Sequence, residues 1–203
     1  MPPQTYPSGT VRALLLTDLV TPATRVVLQA RLAPRTPSMP RCFDAEQFAI
    51  LQAACDRLIP QSHRAAPVAL AAFLDERLAA DKGDGWRYDA LPPDAEMFVQ
   101  GMRGLDETAR IRFGHGFVAL NGAQQDQVLT LVQQGEVQGT TWANLSPTRF
   151  FEELLAELCE CYYSDPLTQE EIGYVGMADG QGWQQIGLNQ REAHEPLAAG
   201  EAV

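Results

Sequence analysis

Apolar side chains recur at helical spacing along most of this chain, and the polar positions between them mark where each helix should start and stop. Residues 10–19 (TVRALLLTDL) and 22–32 (PATRVVLQARL) read as two short helices, the second opened by Thr21 as N-cap with Pro22 in the first helical position. Pro34, Pro37 and Pro40 follow closely. They remove amide donors and favour extended backbone, so residues 33–41 read as a linker. Asp44 and Gln47 form a capping-box pair that opens FAILQAACDRLI; there Phe48, Leu51, Cys55 and Leu58 are spaced for one buried face, and Pro60 ends the helix. In PVALAAFLDERLAA the inward positions are Val68, Ala71, Ala72 and Leu78, with the loop DKGDG after them.

Residues 93–104 and 106–119 predict two further helices, with Met97, Met102, Leu105, Ile111, Phe113 and Phe117 inside. Asn121 caps GAQQDQVLTLVQQG, whose core face is Val128, Leu129 and Val132 and whose stop is Gly135. The strongest pattern follows Ser146 and Pro147. In TRFFEELLAELCECYY, Phe150, Phe151, Leu154, Leu155 and Leu158 make an apolar stripe, while Glu152, Glu153, Glu157 and Glu160 form a solvated face. Beyond it, SDPLTQEEIGYVGMADGQGWQQIGLNQRE has no period and reads as a long ordered loop. No strand-rich region, internal repeat or strand–helix–strand alternation is present. The fold class expected is therefore all-α, a compact domain of about seven or eight helices. Its organisation is an N-terminal helical arm and linker over 1–41, a helical domain over 42–190, and a frayed tail over 191–203.

Charge narrows the partners. Fifteen Lys and Arg against 26 Asp and Glu give the 203-residue chain a net charge of −11, a field that repels phosphate backbones and anionic lipid. Nucleic acid is therefore not expected as a partner. No apolar run reaches the roughly 18–20 residues of a membrane span, so no direct span is expected. The N-terminus shows neither a basic stretch before an apolar core nor a twin-arginine pair. A cytoplasmic location is the simpler expectation, with the periplasm the alternative if a leader has been removed or a partner carries it. Cys42, Cys55, Cys159 and Cys161 are too sparse to staple a small secreted fold and read as free thiols.

Catalytic chemistry needs converging groups, and the pattern supplies few. His63, His115 and His194 are scattered without HExxH or CxxC companions; His115, between two glycines, is expected near the core as a structural histidine. No GxSxG elbow is present. Glycines 173, 176, 180 and 182 lack the GxGxxG spacing and the preceding strand of a dinucleotide cradle. They suit hinges that spread Tyr174, Met177, Trp183 and Ile186 over a surface, belonging either to this protein's own core or to another chain. No catalytic, cofactor-binding or metal-binding residue is assigned.

The chain resembles the gluconate 2-dehydrogenase subunit 3 family. The resemblance is carried by LIP at 58–60, FLDERLA at 73–79, RFGHGFVALNGAQQDQVL at 112–129, FFEELLAELCECYYSDP at 150–166 and GWQQIGL at 182–188, in the same order and spacing. It implies a helical, non-catalytic small subunit that binds no FAD itself. It also implies a large partner of the glucose-methanol-choline (GMC) oxidoreductase type that holds FAD and oxidises a sugar, glycoside, polyol or sugar acid, which this chain would stabilise or mature. Two features depart from the family pattern: the missing twin-arginine leader, and DPLTQEEIGYVG at 165–176 where many members carry a Gly-Gly-Asn turn. On this reading Tyr162, Tyr163, Asp165, Pro166, Tyr174, Met177, Trp183 and Ile186 contact the partner, and the N-terminal arm wraps it. Two other readings remain: a self-associating helical protein, and a small stand-alone enzyme using Asp165, Glu170, Glu171 or His115 as acid or base.

Overall fold

The computed structural model describes residues 8–33, 39–81, 91–174, 179, 182–188, 190–192 and 195. Among these residues every regular element is helical. The order is α1 (Thr10–Leu14), α2 (Pro22–Leu32), α3 (Ala45–Leu58), α4 (Leu70–Ala79), α5 (Asp94–Phe113), α6 (Gly122–Gln134), α7 (Pro147–Tyr163) and α8 (Pro166–Glu171), with 3-10 turns at Phe117–Ala119 and Thr141–Ala143. The all-α expectation holds. The chain divides into two compact units: one takes residues 1–34 together with 162–203, the other takes Arg35–Cys161. The N-terminal segment therefore shares its unit with the C-terminal segment, and Tyr162 and Tyr163 at the end of α7 belong to that same unit.

In the Arg35–Cys161 unit, α3 and α5 pack on each other and on α4 and α6. Ile50, Leu51, Leu74, Met97, Phe98, Met102, Leu105, Val128, Val132, Phe150 and Leu154 fill the interior. The helix starts follow their caps: Asp44 accepts from Gln47 N at 2.8 Å and Asn121 accepts from Gln124 N at 3.0 Å, each with the reciprocal glutamine bond. Gly135 ends α6 with φ 74, a left-handed conformation that side-chain-bearing residues adopt only under strain.

Several sequence expectations are corrected here. Residues 93–104 and 106–119 form not two helices but one, α5, followed by the Phe117–Ala119 turn. Gly101 and Gly104 lie inside this helix where two aromatic rings pack against it: a Cβ built on Gly101 would run into the Phe150 ring, and one on Gly104 into the Trp142 indole. The Trp142 indole donates to Thr108 Oγ1 at 3.0 Å, and that hydroxyl donates to Gly104 O at 2.8 Å, so the ring's polar atom is satisfied inside the core. One continuous helix carries Ile111 about 120° off the Leu105 direction at 3.6 residues per turn. Ile111 is accordingly 52% exposed and Phe113 only half-buried. His115, just past the Gly114 helix end, is exposed, not near the core. In α4 the buried positions are Leu70, Ala71, Leu74 and Asp75, while Val68, Ala72 and Leu78 are half-buried, because the helix begins only at Leu70. Leu155 is likewise half-buried at the edge of the α7 stripe. The glutamates of α7 are not all solvated: Arg77 of α4 lies 3.1 Å from Glu157 and 3.0 Å from Glu160. The four cysteines are free.

In the other unit, Val11, Leu14, Leu15, Val20 and Leu28 form a small core with Leu32 against it. The predicted helix over 10–19 stops at Leu14. Past that end the Thr17 hydroxyl donates to Leu14 O at 2.8 Å, bonding a carbonyl that the helix leaves open. The Arg25 guanidinium then donates to Thr17 O at 2.6 Å and Val20 O at 2.9 Å, which fixes the turn into α2. The reading of the segment after α7 as loop throughout is also corrected. Asp165 followed by Pro166 is a helix start, and α8 forms there.

Candidate partner-binding surface

The sequence-singled residues converge on the end of α7 and the segment after it. Asp165 caps α8, accepting from Leu167 N at 2.8 Å and Thr168 N at 3.3 Å. Thr168, fully buried, donates its hydroxyl to Tyr162 O at 2.5 Å and Asp165 O at 2.9 Å; Gln169 Nε2 donates to Tyr163 O at 2.6 Å. Carbonyls at the end of α7 are thus bonded by side chains of α8. The Tyr162 and Tyr163 rings meet edge to face, centroids 5.1 Å apart.

Exposure sorts the eight residues. Tyr162 and Pro166 are buried and Asp165 serves as the cap, so these three shape the surface from beneath. Tyr163 at 43%, Tyr174 at 48%, Trp183 at 41% and Ile186 at 84% are open to solvent. Met177 lies outside the described residues. Ile172 and Leu188, not singled out from sequence, are also exposed. The 182–188 stretch is held by side chains that take up its amides: Glu192 Oε1 accepts from Gln184 N at 2.5 Å and Gln185 N at 2.6 Å, and Gln190 Oε1 accepts from Gly187 N at 2.8 Å. Such bonds fix a backbone that lacks regular structure.

Two carboxylates of this unit were legible only in three dimensions. Glu170, buried, accepts from Gly9 N at 2.7 Å and Val11 N at 2.8 Å, at the start of α1. Asp179 accepts from Thr21 N at 2.8 Å, Thr21 Oγ1 at 2.5 Å and Thr24 Oγ1 at 2.7 Å, at the start of α2. The C-terminal segment therefore caps both N-terminal helices, and no periodicity rule links residues so far apart in sequence. Glu170→Ala should leave the Gly9 and Val11 amides without this acceptor, at a cost of about 2 kcal/mol. Hydrogen exchange read by mass spectrometry should show faster exchange over 8–20 and unchanged protection in α3, α5 and α6. Equal exchange over 8–20 would contradict the clamp.

The Arg35–Cys161 unit carries clefts of its own. A cleft of about 430 Å³ is lined by acids and bases, among them Asp44, Glu46, Arg103, Asp106, Glu107 and Arg110. Its charges are largely engaged: Arg110 Nε donates to Asp106 at 2.6 Å, and Glu107 accepts from Thr140 N and Thr141 N, each at 2.9 Å. Bonds from Thr141 first, then Thr140, hold the Glu107 carboxyl down at about 2. Gly139, φ 135, lets the loop wrap this carboxylate, since a Cβ there would sit 2.5 Å from it. A folded pKa below the ordinary 4.5 means that this stabilisation is complete above pH 4.5 and vanishes as pH falls through about 2. Solvent screening keeps it below about 1 kcal/mol. Thermal melts of Glu107→Gln should therefore run slightly under those of the parent at pH 7 and coincide with them near pH 2; a constant gap would refute the assignment. A second cleft, about 260 Å³, is apolar and includes Cys55. Burial above all, with the Asp56 charge next, pushes that thiol far up, so it is a poor nucleophile.

Among the described residues no three His, Cys, Asp or Glu side chains gather as they would around a metal ion, and no helix is long and apolar enough to cross a membrane. Of the groups an acid–base enzyme would use here, Asp165 and Glu170 hold backbone amides, whereas Glu171 and His115 lie exposed. No curated protein and no solved structure matches the chain. The family model for gluconate 2-dehydrogenase subunit 3 matches residues 45–188, from the start of α3 to the end of the glycine-rich segment. That span includes α7, α8 and the exposed aromatics, and the chain belongs to the gluconate 2-dehydrogenase subunit 3 family.

Proposed function

We propose that this chain is a non-catalytic small subunit that binds, and stabilises or matures, a large FAD-dependent oxidoreductase of the GMC type acting on a sugar, glycoside, polyol or sugar acid. The observation that carries the reading is the open surface at Tyr163, Tyr174, Trp183 and Ile186, aromatic and apolar groups set on a bonded backbone in a chain of dehydrogenase-subunit family. Aromatic side chains of this kind are enriched at the buried centres of protein interfaces. Membership in a family named for a dehydrogenase subunit supports a hetero-oligomer over a self-associating protein. The carboxylates engaged in capping weigh against a stand-alone acid–base enzyme. Flavin sits in the large subunit on this reading, and the complex is cytoplasmic.

Co-expression tests it. A large FAD-dependent oxidoreductase of the GMC type from the same source, co-expressed with this chain, should be more soluble, more fully loaded with flavin and more active than when expressed without it. Trp183→Ala combined with Ile186→Ala should weaken the complex by about 30-fold or more. A flavoprotein equally soluble, loaded and active alone would sink the accessory role, and cell fractionation checks the compartment.

A further inference from the structure

Every residue from Gly182 to Leu188 is exposed, Trp183 and Ile186 among them, so burial does little to hold this stretch in place. The bonds that its amides make to Glu192 and Gln190 span eight residues or fewer and give the stretch its shape. Its start is tied to something firmer. Gly182 N donates to Asp179 O at 3.2 Å, and the carboxylate of that same Asp179 reaches 158 residues back along the chain to the start of α2. There it accepts from Thr21 N, Thr21 Oγ1 and Thr24 Oγ1. Asp179 has φ 52, a left-handed conformation that aspartate tolerates better than most residues but still at some cost. Three hydrogen bonds to a charged group outweigh that cost and hold the backbone where it turns toward Trp183.

We infer that Asp179 is a positioning residue of the partner surface: through it the N-terminal helices hold Trp183 and Ile186 in the arrangement that the large subunit meets. The anchor at the other end of the tie is packed. α2 contributes Leu28 to the small core of Val11, Leu14, Leu15 and Val20, and the buried Glu170 fixes the start of α1 in that same unit. Charge fits an internal role for the arm. Residues 8–33 carry Arg12, Arg25 and Arg31 against Asp18, and the two carboxylates bonded to this segment, Glu170 and Asp179, balance that excess within the chain. The helices of the anchor lie outside the 45–188 span matched by the family model, whereas Asp179, Trp183 and Ile186 lie inside it. An arm beyond the matched region thus orders a surface within it.

A surface held in this way binds in proportion to the fraction of molecules in which it is ordered. Loosening the tie therefore weakens binding without removing any contacting side chain. The inference rests on the small-subunit reading proposed above.

The test compares the full-length wild type with T21V/T24V, T21S/T24S and Asp179→Asn in two measurements: hydrogen exchange of the chain by itself at short times, and affinity for the co-expressed large oxidoreductase. Valine keeps the shape of threonine and removes the two hydroxyl donors. Thr21 makes no side-chain capping bond to α2, so the helix start keeps its own bonds and circular dichroism should not change. T21V/T24V should exchange faster over 182–188, keep its protection in α3, α5 and α6, and bind about tenfold more weakly. T21S/T24S, which retains both hydroxyls, should match wild type in both measurements. Asp179→Asn, which loosens the tie from the other side and leaves α2 unaltered, should move both readings in the same direction as T21V/T24V. Wild-type exchange over 182–188 in T21V/T24V would overturn the inference whatever the affinity, since weaker binding would then place Thr21 and Thr24 in the contact itself. Faster exchange with wild-type affinity would also overturn it and leave the subunit reading standing. No binding by wild type would overturn both.

Discussion

Gly101→Ala should destabilise the protein by about 3 kcal/mol, although alanine is ordinarily the better helix former by about 1 kcal/mol. The helix interior would gain from the lost backbone freedom. The core would lose more, because the new methyl would stand 1.9 Å from Phe150 Cε2, a ring that is fully buried and stacked edge to face with Phe98 at 6.3 Å and tilted against Trp142 at 5.7 Å. A ring enclosed on both sides cannot swing away without moving its neighbours, so the strain spreads through the core. For a chain of this length the loss corresponds to a melting temperature about 6–12 °C lower. Phe150→Leu placed in the same chain should give back part of the loss, a positive coupling in a double-mutant cycle. A Gly101→Ala protein that melts at or above the parent would show that the close approach does not exist.

Asp75→Ala has an effect of comparable size by another mechanism. Asp75 is 2% exposed and accepts from three successive amides: Arg41 N at 2.9 Å, Cys42 N at 2.9 Å and Phe43 N at 3.1 Å. It thereby fixes the strand of backbone that delivers Asp44 to its capping position at the start of α3. Removing the carboxylate leaves those donors without this partner, beside the buried Phe43, and each bond to a charged group is worth about 1.5–3 kcal/mol. The expected loss is about 4 kcal/mol in urea denaturation. Asp75→Asn, which keeps one acceptor oxygen, should lose about half as much. A loss under about 1 kcal/mol for Asp75→Ala would mean that the amides find other partners. The carboxylate also acts on its neighbour: burial first, and the Asp75 charge second, push the Cys42 thiol up.

Asp75 also shows where reading a sequence stops. The pattern placed α4 correctly in the chain but assigned its buried side to apolar residues, because an acid inside a helix reads as surface. Only the fold brings the 41–43 amides to it. The same holds for Glu170 and Asp179, whose partners lie about 160 residues away. His115 failed in the opposite sense: two flanking glycines and a nearby phenylalanine suggested a buried ring, yet Gly114 ends α5 and leaves the imidazole exposed.

Local features were legible because their physics is local. Capping boxes at Asp44 and Asn121, the Pro22 start of α2, the Gly135 stop and the apolar stripe of α7 each depend on residues within a turn or two, where side chain and backbone compete for the same hydrogen bonds. From these the chain by itself determined an all-helical fold, most helix limits and the family to which it belongs. Tertiary structure alone decided which glycines must stay glycine, which acids are internal acceptors, and which aromatics remain on the surface at 163, 174 and 183. Burial is set by distant segments meeting in space, and a one-dimensional period carries the direction of a side chain but not what waits there.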